Sequence, residues 1–352
     1  MLIETMLPLG RADSGLKVAD GTVAITEVAA DACYAEALGF DGVAVQDNKD
    51  DPYVIATLAL QATRQLRVTT SVAIAFPRSP AVTATTAWSL ARLSGGRFVL
   101  GLGSQVKGHI ERRFGVKWSA PGPWMRDYLA AVRDLWAGWQ NGTSVNHESG
   151  HYKINLNVPV FTPAPLDCGP IRVHLAAVNP YMCQVAGELA DGLRVHPICS
   201  PHYIAEVILP AVRRGSAQVG RTLPDDFEIA VKPLVATAPD EETLASKIQE
   251  IRGRIAFYGS TPAYAATFIA HGLGDLAQML NAYSRAQRWT EMTALISDEV
   301  LHQYAVVGTH EVIADRLRAR YAGLATAMEF SIPVRNDTEA TILGGIIEEL
   351  RQ

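Results

Sequence analysis

The residues of this sequence best suited to chemistry gather just after short apolar runs. Residues 93–106 read Leu-Ser-Gly-Gly-Arg-Phe-Val-Leu-Gly-Leu-Gly-Ser-Gln-Val: a helix end, a glycine turn, a buried strand and a second glycine turn running into polar residues. Gly95 and Gly96 permit the positive φ of a tight reversal. Small residues at Gly101 and Gly103 let backbone amides approach a ligand, and Ser104 and Gln105 add hydrogen-bonding groups at the strand's carboxyl end. Other apolar runs finish similarly, in Gln46-Asp47-Asn48-Lys49-Asp50-Asp51, in Ala176-Ala177-Val178-Asn179 and in His196-Pro197, while Thr69-Thr70-Ser71-Val72 lies within another. Such a ring of small and hydroxyl-bearing residues suits a flat ligand pressed against backbone. Asp47 and His196 are the members able to exchange a proton, with loop hydrogen bonding or pocket lining as their bland alternatives. Lys107, His109, Arg112 and Arg113 follow the glycine turn, and guanidinium groups suit bidentate capture of phosphate. The alternative for these four is a solvated helix face paired with Glu111.

The elements that must position these residues alternate. β-rich runs lie at 3–7, 42–46, 67–76, 98–103, 172–178, 192–196, 228–237 and 326–332, and helical patterns at 22–38, 53–64, 81–93, 124–139, 180–190, 202–219, 241–258 and 310–323. This α/β alternation predicts a (β/α)8 TIM barrel, with the open doubly wound sheet as runner-up because closure is not written in a sequence. Two stretches interrupt it, at about 140–170 and 257–307. The first is rich in Gly, Asn and Pro and reads as a strand-like excursion; the second reads as extra helices broken at Gly272-Leu-Gly274 and anchored by Trp289. No Pro/Gly/Ser-rich linker divides the chain, so residues 1–352 are read as a single barrel domain.

Composition bounds the function. The chain of 352 residues is 48% hydrophobic and 19% charged, enough to bury a large core. Its net charge of -5 and lack of a basic run argue against nucleic acid as a partner. No apolar stretch of membrane-spanning length and no leader-like start are evident, which predicts a cytoplasmic protein without a membrane partner. The four cysteines have no metal spacing, and His147 and His151, though four residues apart, sit among Gly and Asn without an E-x-x-H partner, so no metal is expected.

Several motifs carry a resemblance. Glu36-Ala-Leu-Gly-Phe-Asp-Gly42, Thr70-Ser-Val, Phe76-Pro-Arg-Ser-Pro80, residues 93–103, Leu175-Ala-Ala177, Ala186-Gly-Glu-Leu-Ala-Asp-Gly192 and Val307-Gly-Thr309 together are similar to the bacterial luciferase-like superfamily. More narrowly, Gln105-Val-Lys-Gly-His-Ile-Glu-Arg-Arg-Phe114 and Ile255-Ala-Phe-Tyr-Gly-Ser-Thr-Pro-Ala-Tyr264 resemble an actinobacterial subgroup of deazaflavin (coenzyme F420) dependent oxidoreductases. The resemblance implies a luciferase-like barrel, coenzyme F420 with flavin mononucleotide (FMN) as the alternative, and a homodimer packing helices near the second and third strands. It places a non-prolyl cis peptide at Ser71-Val72 and cofactor contacts there and at Gly103, Ser104, Gln105, Ala176, Ala177, Val178 and Asn179, while Lys107 and Arg112 of the basic cluster would take the cofactor's phosphate. It aligns Asp47 and Asn48 with a strand-two acid and histidine. In some alcohol-oxidising relatives that histidine is the general base; Asn48 can hydrogen-bond a substrate or cofactor carbonyl but cannot take a proton at neutral pH, so Asp47, Asp50 or His196 would replace it as base.

Three functions follow from this reading. The first is an F420-dependent oxidoreductase moving a hydride between the deazaflavin and a small alcohol, carbonyl or activated alkene. The second is an FMN-dependent monooxygenase, and the third a non-catalytic cofactor-binding protein on the same scaffold.

Overall fold

A computed structural model describes residues 1–7 and 24–352; the first two residues of the helix expected over 22–38 lie outside them. Eight parallel strands close into a barrel: β1 (Leu2–Met6), β2 (Gly42–Val45), β3 (Arg67–Thr70), β4 (Phe98–Gly103), β5 (Arg172–Ala177), β6 (Gly192–Val195), β7 (Glu228–Val231) and β8 (Ala327–Glu329). Each pairs with the next, and β8 pairs with β1, so the expected (β/α)8 barrel is present and the open sheet is excluded. Flanking helices start where the sequence offers proline at the first helical position, as in Pro52–Ala62, Pro80–Ser94, Pro121–Asn141 and Pro180–Leu189. Ser79 caps the second of these through the Val82 amide at 3.2 Å, and Gly95 ends it at φ +61°.

The two Asp-Gly pairs of the quoted motifs do the same structural job. Asp41 accepts the Ile3 amide of β1 at 2.7 Å, and Asp191 accepts the Val173 amide of β5 at 2.8 Å. Each carboxylate therefore pins the start of the strand beside its own. The glycines that follow leave gaps. A Cβ at Gly42 would lie 3.5 Å from Glu4 Cγ and 3.3 Å from Arg67 Cβ; one at Gly192 would lie 2.8 Å from His174 Cδ2 and 2.9 Å from Glu228 Cβ. Across these gaps, side chains from strands two apart touch inside the barrel.

What touches there is charged. Barrel interiors are ordinarily layered with branched apolar side chains. Here Arg67 donates to Glu4 and Glu228 at 2.8 Å each, Arg194 bridges Glu4 and Glu329, and Lys232 lies 2.7 Å from Glu329. His174 is fully buried, 3.7 Å from Glu228, and burial lowers its pKa, so the ring is neutral at pH 7. Burial alone would raise the Glu4 carboxyl, but Arg194 and Arg67 outweigh it and hold the pKa at about 2.

Four expectations need correction. The run 67–76 is broken: β3 ends at Thr70, Ser71-Val72 is a cis peptide, and Ala73–Ile74 resumes pairing with β4. The run 228–237 is two strands, because the chain turns at Lys232-Pro233; Leu234–Ala238 then pairs in parallel with Ala305–Thr309 in a separate two-stranded sheet. Pro233 has no N–H to continue a central ladder. The helices expected within 257–307 are present, but that stretch ends in the second of these strands. A helix at Asp337–Arg351 follows β8, capped by Asn336, where none was expected. The stretch at 140–170 carries a short antiparallel hairpin, His147–Glu148 with Lys153–Ile154.

Two outcomes follow. Glu4→Gln leaves Arg67 and Arg194 undercompensated and is expected to cost roughly 3–5 kcal/mol in urea unfolding. Because the native Glu4 pKa is depressed, its contribution is complete above about pH 4.5 and fades as pH falls toward about 2; over that window the wild type should lose stability faster than the variant. Gly192→Ala, which overfills the gap beside His174, should lower stability by about 1–3 kcal/mol.

Candidate active site

The carboxyl ends of the barrel strands open into one cavity of about 790 Å³. Among the residues singled out from sequence, Asp47, Asn48, Ser71, Val72, Gly103, Ser104, Gln105, Lys107, Ala176, Ala177, Val178, Asn179 and His196 border it. Arg112 does not: it ends the helix Lys107–Arg112, exposed to solvent, so its assignment to a cofactor phosphate is not supported by placement. Of the basic cluster only Lys107 reaches the rim, 3.9 Å from Glu111, while Arg113 turns back to donate to the Asn48 carbonyl at 2.7 Å.

One wall is a shelf of backbone. Thr70 Oγ1 donates to the Gly101 carbonyl at 2.7 Å and accepts from the Gly101 amide at 2.8 Å, which brings β3 and β4 so close that a Cβ at Gly101 would overlap the Thr70 carbonyl. A Cβ at Gly103 would lie 2.5 Å from Val72 Cγ2. These glycines are therefore demanded first by the fit of β4 against the Ser71-Val72 bulge, and the flat ledge open to a ligand is its consequence. Gln105 holds a left-handed φ of 55° at the end of the ledge, an uncommon conformation for a residue other than glycine. After the neighbouring strand β5, the helix Pro180–Leu189 presents Tyr181 and Met182 of its first turn to the cavity; its N-cap residue Asn179 donates to the Ala263 carbonyl at 3.2 Å instead of capping.

The proton-exchanging candidates are placed unequally. Asp47 Oδ2 meets Arg78 at 2.6 Å and accepts the Ile74 amide at 2.9 Å, so this carboxylate anchors the bulge to the β2 loop. Loop bonding, not base catalysis, is what its contacts describe. Asn48 is exposed, and its side chain bonds locally to Gln46 and the Lys49 amide. His196 packs 4.1 Å from the Tyr264 ring and 4.8 Å, edge-on, from Tyr258. Its Nδ1 accepts from the Ile198 amide at 3.3 Å, so the neutral ring carries its proton on Nε2 and acts as a donor there. Burial pushes the Tyr264 hydroxyl up to about 12, keeping it protonated. Trp124 and Trp118 take different places. Trp124 is a buried anchor stacked 3.7 Å from Phe76, whereas Trp118 lines the cavity.

Sequence reasoning missed the floor. Arg194, Lys232 and Glu329, the upper end of the ionic column, face the cavity, as do Tyr258 and Tyr264. The available signal was a lone charge inside each of three apolar strand runs, at Glu4, Arg194 and Glu329.

Comparison with known proteins agrees with this architecture. The family model for luciferase-like monooxygenase matches residues 9–327. An uncharacterised protein of Mycobacterium tuberculosis is 42% identical over 297 residues, covering 84% of this chain and 87% of that one. A 5,10-methylenetetrahydromethanopterin reductase of Archaeoglobus fulgidus is 26% identical, covering 88% and 90%. The structure of the coenzyme F420 dependent tetrahydromethanopterin reductase from Methanopyrus kandleri superposes with a TM-score of 0.72 at 18% identity, covering 97% of each chain. The barrel, its bulge and these matches place the chain in the luciferase-like monooxygenase family.

Proposed function

We propose that the protein is a coenzyme F420-dependent oxidoreductase that moves a hydride between the deazaflavin and a small alcohol, carbonyl or activated alkene. The observation carrying this reading is the ledge of Ser71-Val72 and Gly103. Val72 packs so closely on Gly103 that a Cβ there would strike it, which keeps this strip shallow enough for the flat back of a tricyclic ring. The cavity of about 790 Å³ is of the size that holds a cofactor with a small substrate. The reductase relative named above supports the choice of chemistry.

When bound, the deazaflavin supplies the carbon that gives or takes the hydride. The protein's own residues do the rest. Ser71, Val72, Gly103 and Ser104 would support the ring through backbone. The Pro180–Leu189 helix offers first-turn amides and the positive end of its dipole to a phosphate, and Lys107 stands at the rim for an anionic tail. Val178, Ala176 and Ala177 close the side of β5, and Tyr258, Tyr264 and Trp118 exclude water from the reacting centre. Asp47 and Arg78 act one step back, by fixing the bulge. The same reading includes a homodimer, to which the exposed Val54 and Val82, on the helices after β2 and β3, would contribute.

The family's monooxygenases favour a second reading, with FMN on the same ledge and dioxygen as co-substrate. Fluorescence titration with coenzyme F420 and, separately, FMN separates the two. Saturable binding of F420 with FMN at least about tenfold weaker, and no dioxygen uptake on addition of the reduced cofactor, is the expected outcome. Preference for FMN with dioxygen consumption would replace the first reading by the second, and binding of neither would overturn both. In the same assay Gly103→Val, which drives a side chain into Val72, should abolish F420 binding; Arg78→Ala, which unties Asp47 without touching the cavity, should weaken it about tenfold.

A further inference from the structure

The reading above leaves the proton unassigned. Hydride arriving at a carbonyl carbon brings one hydrogen and two electrons, and the oxygen must then acquire a proton or bear a full negative charge. Asp47 is committed to Arg78 and the Ile74 amide, and Asn48 has no proton to exchange at neutral pH. On the floor of the cavity, however, stands Lys232, at the end of β7 where Pro233 turns the chain away. Its Nζ lies 2.7 Å from Glu329 Oε1 and 3.0 Å from Met6 Sδ, and its side chain is about one-fifth exposed. Glu329 is in turn held by Arg194, and Arg194 by Glu4. The ammonium is thus fixed in direction by a buried carboxylate that is itself fixed, the arrangement by which a flexible lysine becomes a positioned donor.

The charges around it also constrain what it faces. Along the barrel axis the carboxylates Glu4, Glu228 and Glu329 are met by Arg67, Arg194 and Lys232, Arg172 at the start of β5 is shared between Glu228 and Asp226, and His174 is neutral. Nothing in this column calls for a charged ligand to complete it. The neighbouring walls are Val195, Val231, Ala230 and the rings of Tyr258 and Tyr264. An uncharged substrate can place its polar atom at the floor and its apolar body against these walls, and negative charge on that atom would meet the Lys232 ammonium at contact distance.

We infer that Lys232, oriented by Glu329, is the proton donor and oxyanion partner of the reaction, and that the substrate is an uncharged carbonyl compound whose oxygen sits on Lys232 Nζ. This rests on the oxidoreductase reading. In the reducing direction, hydride from a reduced deazaflavin forms the new C–H bond and the C=O π electrons move to oxygen. The oxygen takes a proton from Lys232 Nζ, and the amine regains one from solvent.

The test needs no knowledge of the natural substrate, because 4-nitrophenol reports oxyanion binding by the absorbance of its phenolate. With the full-length protein, the phenolate should bind at least about tenfold more tightly than the phenol. That preference should vanish in Lys232→Met and persist in Lys232→Arg, which keeps the cation but cannot give up its proton. Against a panel of neutral ketones, aldehydes and enones with reduced F420, Lys232→Arg should then keep KM within about threefold while kcat falls by about 100-fold or more. A wild type indifferent to the phenolate, or a Lys232→Met protein that retains the preference, overturns the assignment. So does a Lys232→Arg enzyme with unchanged kcat. Should Lys232→Met fail to fold, Lys232→Gln reads the same quantity. Failure of F420 to bind the wild type defeats the oxidoreductase reading alone, since the phenolate titration still decides the role of Lys232.

Discussion

The structure depends on one arrangement, a column of alternating charges running up the axis of the barrel. Apolar layers would hold the eight strands together as well, because branched side chains pack efficiently and carry no desolvation cost. Charges do not. Taking Glu4 out of water is unfavourable by several kcal/mol unless geometry restores the loss, and here two guanidinium groups close on one carboxylate that is 1% exposed. Such a column is intolerant of slippage. A shift of one residue in any strand would swing its charged side chain to the outer face and strand its partners, so the ion pairs specify register as firmly as they stabilise it.

That demand propagates into the sequence as glycine. Glu4 stands opposite Gly42 across the β1–β2 ladder, and Gly42 opposite Arg67 across β2–β3, so the acid and the base reach each other only because nothing projects between them. Gly192 repeats the device between His174 and Glu228. Close to the cavity, the same economy of volume recurs with another outcome: Gly101 and Gly103 admit the Thr70 hydroxyl and the Val72 side chain, and the ledge they leave faces the site. The barrel's core and its site are therefore not separate designs. The strands are brought together by missing side chains, and at Gly103 the close fit that results forms part of the cavity wall.

This explains which parts were legible in advance. The alternation of apolar runs and helical patterns sufficed for the barrel, and strand ends sufficed for most of the rim, because position in a (β/α)8 topology fixes which end of a strand faces the site. The cis Ser71-Val72 bond came from resemblance alone; its local sequence is that of an ordinary strand. The split of β7 at Lys232-Pro233 was hidden by continuous β-favouring residues on both sides, and the strand at Ala305–Thr309 by the helices before it. The floor was unreadable for a different reason. Glu4, Arg194 and Glu329 are separated by more than a hundred residues each, and nothing local announces that they meet. Arg112 illustrates the converse, since proximity in sequence to the glycine loop did not place it among the residues bordering the cavity.

The balance of the column bears on how chemistry could run above it. A site for hydride transfer gains from low net charge, because a field of one sign would favour one redox direction and draw water and ions to the reacting atoms. A single buried lysine would create such a field. Pairing it with Glu329, and Glu329 with Arg194, cancels the long-range part while leaving the short-range hydrogen-bonding power of the ammonium intact, since the latter falls off within a contact distance. At the end of the second strand the Asp47 carboxylate is spent on Arg78 and the Ile74 amide, and the Asn48 side chain on Gln46 and the Lys49 amide. On this argument the asparagine at position 48 is not a lost catalytic residue. With Lys232 as the donor proposed above, it marks a site whose acid–base work lies on the floor, where Glu329 holds that donor in place, and not at the rim, where solvent competes.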